Sequence, residues 1–243
     1  VNYPRLSNNV VSCIAEDENK NLWIGTEGGG LNYWDRNKNT FTVYKNKLND
    51  PASLGSNLVK TVFFDIDGNP WIGTHGGGLN VFDRKTNQFI RYLFRENDPA
   101  SLLLESSSIS EDTKGRLWVA TNSGIKVFKR NELHLEEIDI SDISESLLKY
   151  RPNVVFRDNR NQIWIGSGNG LYKLQNDEII TIDTTKAVNC ITQDSRGTLW
   201  MDAGIGKLAK LEPGSSKLYY FDLPETKTVL GVIQDKDGIL WIS

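Results

Sequence analysis

The chain has 243 residues, of which 38% are hydrophobic, and its 28 basic and 31 acidic residues give a net charge of −3 at pH 7. This balance provides no basic field of the kind that attracts nucleic acid or an anionic membrane surface. No apolar run approaches the ~18 residues that a membrane-spanning helix needs, and no secretion signal follows Val1. Nucleic-acid binding and membrane insertion by this segment are therefore not expected.

A short motif centred on tryptophan recurs six times along the chain. It is clearest at 22–31, with the sequence LWIGTEGGGL, and at 70–79, with the sequence PWIGTHGGGL. A fixed period of this kind is typical of a repeat architecture, in which each copy forms one supersecondary unit. The six tryptophans, separated by 36 to 48 residues, are Trp23, Trp71, Trp118, Trp164, Trp200 and Trp241.

Each unit carries the same signals before its tryptophan. An Asp always lies six residues upstream, and three residues after that Asp stands a Gly, except for Lys20 and Asn161. Residues that accept a positive φ at this place predict a tight hairpin between two antiparallel strands. Nine residues before each tryptophan the chain has Ile or Val, as at Ile14 and Val62, which predicts a packed strand position.

Two more strands are predicted after each motif, at 31–34 and 41–44 in the first unit, with a polar turn between them. Four short strands joined by tight turns are the pattern of a β-propeller blade. We therefore predict an all-β propeller with four-stranded antiparallel blades, forming one domain over 1–243. Five complete blades and half of a sixth are expected at 7–47, 55–95, 103–141, 151–183, 187–223 and 229–243.

The connections between units give further predictions. The hexamer Asn-Asp-Pro-Ala-Ser-Leu occurs at 49–54 and again at 97–102, and its composition predicts a turn. The connection at 142–150 keeps a helical period, so a helical turn is expected there. Because five and a half blades do not close a ring, the chain is expected to be a piece of a longer protein and a segment of a larger ring.

Most of the conspicuous side chains are interpreted as structural. A tryptophan that is needed once per unit indicates packing between blades rather than stacking on a ligand. The triple glycines precede a strand, whereas a phosphate cradle requires a helix. The segments 65–69 and 235–238 resemble half of a calcium loop but lack its distal Glu. The sequence thus predicts no cofactor, no metal site, and no disulfide between Cys13 and Cys190, which hold the same repeat position with three units between them.

Ligand-binding residues are expected where the repeats differ from one another. Propellers bind ligands on the face built by the loops between the second and third strands and by the connections between blades. Polar side chains that vary in these loops are the candidates, because loops on a rigid scaffold carry function. The first set comprises Glu27, His75, Asn122, Asn169 and Asp202, and the second set comprises Lys60 and Arg151.

The pattern Asp-x-x-Gly-x-Leu-Trp-Ile-Gly-Thr-x-Gly-Gly-Gly-Leu, followed by an aromatic-Asp-Arg turn, resembles the two-component regulator propeller repeat over nearly the whole chain. The resemblance implies a seven-bladed propeller in the periplasmic sensor of a hybrid two-component system from glycan-degrading Bacteroides-type bacteria. A membrane helix, a histidine kinase and a DNA-binding regulator are implied elsewhere in the parent protein. The implied function is recognition of an oligosaccharide that controls polysaccharide-utilisation genes.

Two other functions stay open at this stage. The segment could be a protein-interaction or dimerisation scaffold without a small ligand of its own. A propeller lyase is less favoured, because it needs a general base and the two histidines, His75 and His134, lie in different units at different repeat positions. We therefore expect no enzymatic activity in this segment. The expected partners are an oligosaccharide, the rest of the parent ectodomain and a second copy of the chain.

Overall fold

The computed structural model of the chain describes residues 5–92, 106–138, 152–223 and 229–243. Contacts divide the chain into two compact units, Val1–Asp139 and Ile140–Ser243. In the described ranges no helix has the length and hydropathy needed to cross a bilayer. Three expectations fall outside the described residues: the helical turn at 142–150, the second hexamer at 97–102, and the candidate site residue Arg151.

The first unit contains three sheets of four antiparallel strands, which we call blades 1 to 3. In each sheet the strands neighbour one another in chain order, because each is joined to the next by a short connection. Blade 1 consists of β1 (Val11–Glu16), β2 (Leu22–Thr26), β3 (Gly30–Asp35) and β4 (Thr40–Tyr44). Blade 2 consists of β5 (Val59–Phe64), β6 (Pro70–Thr74), β7 (Leu79–Asp83) and β8 (Gln88–Tyr92). Blade 3 consists of β9 (Ser106–Glu111), β10 (Arg116–Thr121), β11 (Gly124–Asn131) and β12 (His134–Ile138).

The second unit contains two further sheets of the same kind, blades 4 and 5, and one strand pair. Blade 4 consists of β13 (Pro152–Arg157), β14 (Ile163–Ser167), β15 (Gly170–Gln175) and β16 (Glu178–Asp183). Blade 5 consists of β17 (Ile191–Gln193), β18 (Leu199–Asp202), β19 (Lys207–Leu211) and β20 (Leu218–Asp222). The pair is β21 (Val232–Gln234) and β22 (Leu240–Ile242). The prediction of an all-β chain with five four-stranded blades and half of another is confirmed, whereas a single domain over 1–243 stays a prediction.

The Asp before each tryptophan has a larger role than the sequence indicated. In all six repeats its Oδ2 accepts a hydrogen bond from the indole Nε1–H, with distances of 2.8 to 3.2 Å. Its Oδ1 accepts the backbone N–H groups two and four residues further on, as Asp158 does from Arg160 at 2.9 Å and Gln162 at 2.8 Å. The expected hairpin is confirmed, since the third residue after each Asp has a φ between 63° and 87°. The Asp therefore locks this turn to the tryptophan.

The tryptophans form the core that joins neighbouring blades. Trp23, Trp71 and Trp118 are at most 2% exposed. Trp23 packs with Ile72 and Phe82 of blade 2, and Trp71 packs with Ile109 and Phe128 of blade 3. Packing between blades is thus confirmed for Trp23 and Trp71, whereas the same expectation was wrong for Trp241, which is 60% exposed.

The prediction that the residue nine positions before each tryptophan is packed is confirmed only in part. Its members are buried in blades 3, 4 and 5, where Ile109, Val155 and Ile191 are 5%, 3% and 9% exposed. Ile14 is instead 61% exposed, so the expectation that it packs was wrong. Ile109 is buried because it packs against Trp71 of the preceding blade, and no described sheet precedes blade 1 in its unit.

Candidate functional site

Four of the predicted ligand-binding residues lie in the turns between the second and third strands of blades 1 to 4. His75, Asn122 and Asn169 are exposed, and the Glu27 side chain is 34% exposed. Each of these turns is fixed by a buried Thr or Ser at the end of the second strand. Its hydroxyl donates a hydrogen bond to the backbone carbonyl three or four residues later in the chain. Thr26 donates to Gly30 at 2.8 Å, and Thr74 donates to Gly78 at 2.9 Å. The backbone of these turns is therefore held constant while the outermost side chain changes.

In the first unit the structure brings together residues that the sequence placed in different loops. The Nζ of Lys60 lies 2.8 Å from Oε1 of Glu27. Leu58 joins two turns, because its carbonyl accepts the backbone N–H of His75 at 2.8 Å while the residue forms a β-bridge with Glu27. We call Glu27, Lys60 and His75 the polar cluster. It offers a carboxylate, an ammonium group and an imidazole around one segment.

Asp202 is placed differently from the other predicted residues. It is 1% exposed and takes the repeat position held by Gly25 in blade 1. Its carboxylate accepts the backbone N–H of Asn189 at 2.5 Å, the side-chain amide of Asn189 at 2.6 Å and the backbone N–H of Cys190 at 2.8 Å. Asp202 thus fixes the connection that leads into β17. A contact between Asp202 and a ligand stays a prediction.

The carboxylates of the first calcium-like segment are engaged by the protein itself. The Oδ2 of Asp65 accepts hydrogen bonds from Trp71 at 2.8 Å and from the amide of Asn69 at 2.9 Å. The backbone N–H of Gly68 donates to the Asp65 carbonyl at 2.9 Å, and Gly68 has a φ of 78°. This segment is therefore a turn. Among the described residues, no group of three or more His, Cys, Asp or Glu side chains is arranged to hold a metal ion.

The two cysteines are free thiols, and both are half-buried. Burial raises the pKa of Cys13 to about 11. Burial, with the neighbouring Asp202 carboxylate, raises the pKa of Cys190 to about 12. Both thiols are thus held in the protonated form near neutral pH, in which a cysteine is a poor nucleophile.

We expect Ellman's reagent to leave both cysteines unmodified in the folded chain at pH 8 and to modify both in guanidinium chloride. Their protonation also links stability to pH. The unfolded thiols ionise near 9.0 and the folded ones at about 11 and about 12. Above pH 9 the folded state therefore binds more protons than the unfolded state, and its stability falls as the pH rises through this window. Rapid modification of either cysteine in the folded chain would contradict this assignment.

Comparison with known families identifies the repeat. A family model described as "Two component regulator propeller" matches residues 5–28 and 104–123, the segments that contain or lead into the Trp23 and Trp118 motifs. No match was found among curated protein sequences.

Solved structures share the fold at low sequence identity. The extracellular domain of BT3049 from B. thetaiotaomicron, described as a hybrid two component system, is 18% identical with a TM-score of 0.79, and the match covers 99% of this chain and 34% of that one. The corresponding domain of BT4673 is 21% identical with a TM-score of 0.76, over 99% and 33% of the two chains. The chain thus spans about a third of these domains.

An enzyme has a similar fold. Virginiamycin B lyase from Staphylococcus aureus is 16% identical with a TM-score of 0.74, and the match covers 98% of this chain and 79% of the lyase. At this identity the likeness shows the fold alone. The specific assignment comes from the two matched segments together with the motif that repeats between and beyond them. Residues 5–28 and 104–123 are therefore recognised as two-component regulator propeller repeats, and the same tryptophan motif recurs in the other units.

Proposed function

We propose that the chain is an extracytoplasmic ligand-binding propeller of a hybrid two-component sensor, and that its ligand is an oligosaccharide. The observation that carries the proposal is that recurring side chains of the repeat are structural, whereas the side chains that vary are exposed on its turns. The recurring Asp, Trp and Thr side chains are used in turns and in packing, whereas Glu27, His75, Asn122 and Asn169 vary on turns of constant backbone. Variable side chains on a rigid scaffold are the usual arrangement of a recognition surface.

The chemistry of the polar cluster suits a polyhydroxylated ligand. Sugar hydroxyls both donate and accept hydrogen bonds. The carboxylate of Glu27 accepts, the ammonium group of Lys60 donates, and the imidazole of His75 can do either. An ion pair that is about one-third exposed contributes ~0–1 kcal/mol to stability, so Glu27 and Lys60 can exchange partners at low cost.

The proposed cellular role is the one that the resemblance to this repeat implies. In this proposal the propeller lies in the periplasm and forms part of a longer ectodomain, which is joined through the membrane to a histidine kinase. Binding of the oligosaccharide then controls the transcription of polysaccharide-utilisation genes. Two solved extracellular domains of B. thetaiotaomicron two component systems share the fold and support this location.

Calorimetry against a panel of neutral and acidic oligosaccharides tests the proposal. We expect at least one fragment to bind, and we expect Lys60→Ala or His75→Ala to weaken its binding by about tenfold or more, the usual effect of losing a hydrogen bond that involves a charged group. His134→Ala is the matched control, because His134 is exposed on the outer strand β12. The proposal fails if no fragment of the panel binds, or if His134→Ala weakens binding as much as His75→Ala does.

A lyase is the second candidate, favoured by the extensive fold match to virginiamycin B lyase. The same variants separate the two functions. Turnover of a streptogramin substrate that disappears in His75→Ala would establish the lyase, whereas binding of a saccharide that is recovered unchanged supports the sensor.

A further inference from the structure

A pocket of about 330 Å³ lies between blades 4 and 5 of the second unit. It opens near the β13–β14 turn and the β19–β20 turn, whereas Asn169 lies in the β14–β15 turn. In an antiparallel sheet these turns are at opposite ends of the strands. The pocket is therefore distinct from the surface to which the varying turns belong. Its lining includes Asp158, Arg160, Lys173, Glu212 and Pro213.

The pocket exists because an arginine is missing from blade 5. In each blade the repeat tryptophan pairs with a residue of the third strand, and the position of interest lies three residues after that partner. It is occupied by Arg84 in blade 2 and by Arg130 in blade 3. Each of these arginines reaches the preceding blade. The Arg84 guanidinium lies 5.7 Å from the Trp23 ring centroid and 3.7 Å from the carboxylate of Asp17.

Arg130 fills the same place between blades 2 and 3. Its side chain is 7% exposed and lies 3.3 Å from Asp65 and 2.6 Å from Asp67. In blade 5 the equivalent residue is Pro213, because Trp200 pairs with Lys210. Proline has no side-chain donor and cannot reach Asp158 or Trp164. The space that an arginine fills elsewhere is therefore open to solvent at this interface.

The charges of the lining favour an anion. Both acidic groups are already engaged: Asp158 accepts hydrogen bonds from Trp164 and from two backbone N–H groups, and Glu212 lies 2.6 Å from the Nζ of Lys210. The two basic groups have no such ionic partner among the described residues. Among the described residues no carboxylate lies within ion-pairing distance of the side chains of Arg160 or Lys173, and Lys173 stands 5.4 Å from the Trp164 ring centroid.

We propose that this pocket binds an acidic sugar, a saccharide that carries a carboxylate or a sulfate group. Arg160 and Lys173 hold the anionic group, since a guanidinium fork matches an oxyanion and an ammonium group adds charge. Gln162 and Gln175 present amides to the hydroxyls, and Ile182 and Leu211 provide an apolar floor. A volume of this size suits a small ligand. The inference rests on the proposed function only for its choice of a sugar as the ligand.

Titration calorimetry of the 243-residue chain tests the inference with galacturonic acid and its short oligomers, galactose 6-sulfate, galactose, and inorganic sulfate. We expect the two acidic sugars to bind at least ~10-fold more tightly than galactose, as charge-assisted contacts do over neutral ones. The affinity should fall as sodium chloride is raised. Inorganic sulfate that binds as tightly as galactose 6-sulfate would overturn the sugar assignment, because the pocket would then hold any anion.

Variants of the two basic lining residues test whether the ligand binds in this pocket. Arg160→Gln and Lys173→Met should each weaken binding of the acidic sugars by about 10- to 100-fold. Arg196→Gln is the matched control, because Arg196 holds the same turn position in blade 5 with a side chain that is 81% exposed. Equal effects of Arg160→Gln and Arg196→Gln would overturn the assignment.

Refilling the gap gives an independent test. Pro213→Arg restores the residue type of Arg84 and Arg130 and should abolish binding while the thermal unfolding midpoint is kept or raised. Unchanged binding in a folded Pro213→Arg chain would overturn the inference. If neutral fragments bind and depend on Lys60 and His75 while acidic sugars do not bind, this inference fails and the proposed function stands. If no saccharide of either kind binds, both fail.

Discussion

Replacing Trp71 by alanine is expected to lower the free energy of unfolding by about 3–5 kcal/mol, the usual cost of removing a large buried aromatic side chain. Trp71 is fully buried between blades 2 and 3, where it packs with Leu79, Ile109 and Phe128. The substitution removes these contacts, and it also leaves the Oδ2 of Asp65 without its indole donor. Loss of packing and loss of a buried hydrogen bond act in the same direction.

Urea unfolding followed by far-ultraviolet circular dichroism measures this effect without relying on tryptophan fluorescence. Trp241→Ala is the matched control, since Trp241 holds the same repeat position and makes the same bond, at 2.8 Å, to Asp235. Trp241 is 60% exposed, so its removal should cost less than about 1 kcal/mol. Equal losses in the two variants would show that the conserved position, and not burial between blades, determines the cost.

Replacing Arg130 by methionine is expected to cost about 3–5 kcal/mol, because removing one partner of a buried ionic network leaves uncompensated charge. Arg130 lies 3.1 Å from Glu111 in addition to its contacts with Asp65 and Asp67. The side chains of Glu111 and Asp65 are 3% and 0% exposed. Methionine keeps much of the length of the side chain, so the loss reports mainly on charge.

Arg36 provides the control for this substitution. It follows the strand partner of Trp23 by three residues, the position that Arg130 holds in blade 3. Arg36 is 49% exposed and lies 3.3 Å from Glu16, which is itself 40% exposed. Arg36→Met should therefore change stability by less than about 1 kcal/mol, as exposed ion pairs do. Chemical unfolding of both variants under the same conditions measures these losses in the free energy of unfolding. A loss below about 1 kcal/mol in Arg130→Met would show that the ionic network around Arg130 does not stabilise the fold.

The fold could be predicted from the sequence because its signals are local. The Asp, the positive-φ residue and the tryptophan stand within seven residues of one another, and their repetition determined the strands, the hairpins and the number of blades. Ile14 shows the limit of this reasoning. Whether a β-branched residue at this position is buried depends on the side chains that cover it, as Trp71 covers Ile109 from the preceding blade.

The candidate site was less accessible from the sequence. The varying turns were recognised, but their pairing was not: Glu27 and Lys60 meet because the second blade packs its first strand beside the β2–β3 turn of the first. Asp202 looked like an exposed variation and is buried by Asn189 and Cys190. The pocket between blades 4 and 5 could have been suspected from Pro213, which stands where three other units have arginine, and the strand register shows that these positions correspond.

The bond between each Asp and its tryptophan has a consequence for how such a chain can grow and diverge. Both partners lie six residues apart in a single blade. A gene segment that encodes one blade therefore encodes both partners of this hydrogen bond, and a duplicated blade retains it. Arg84 and Arg130 instead contact acidic side chains of another blade, so an arginine at this position must fit a new neighbour after every duplication. The copies agree with this difference: the Asp and the tryptophan occur in all six, whereas arginine occurs at the inter-blade position only in the first three.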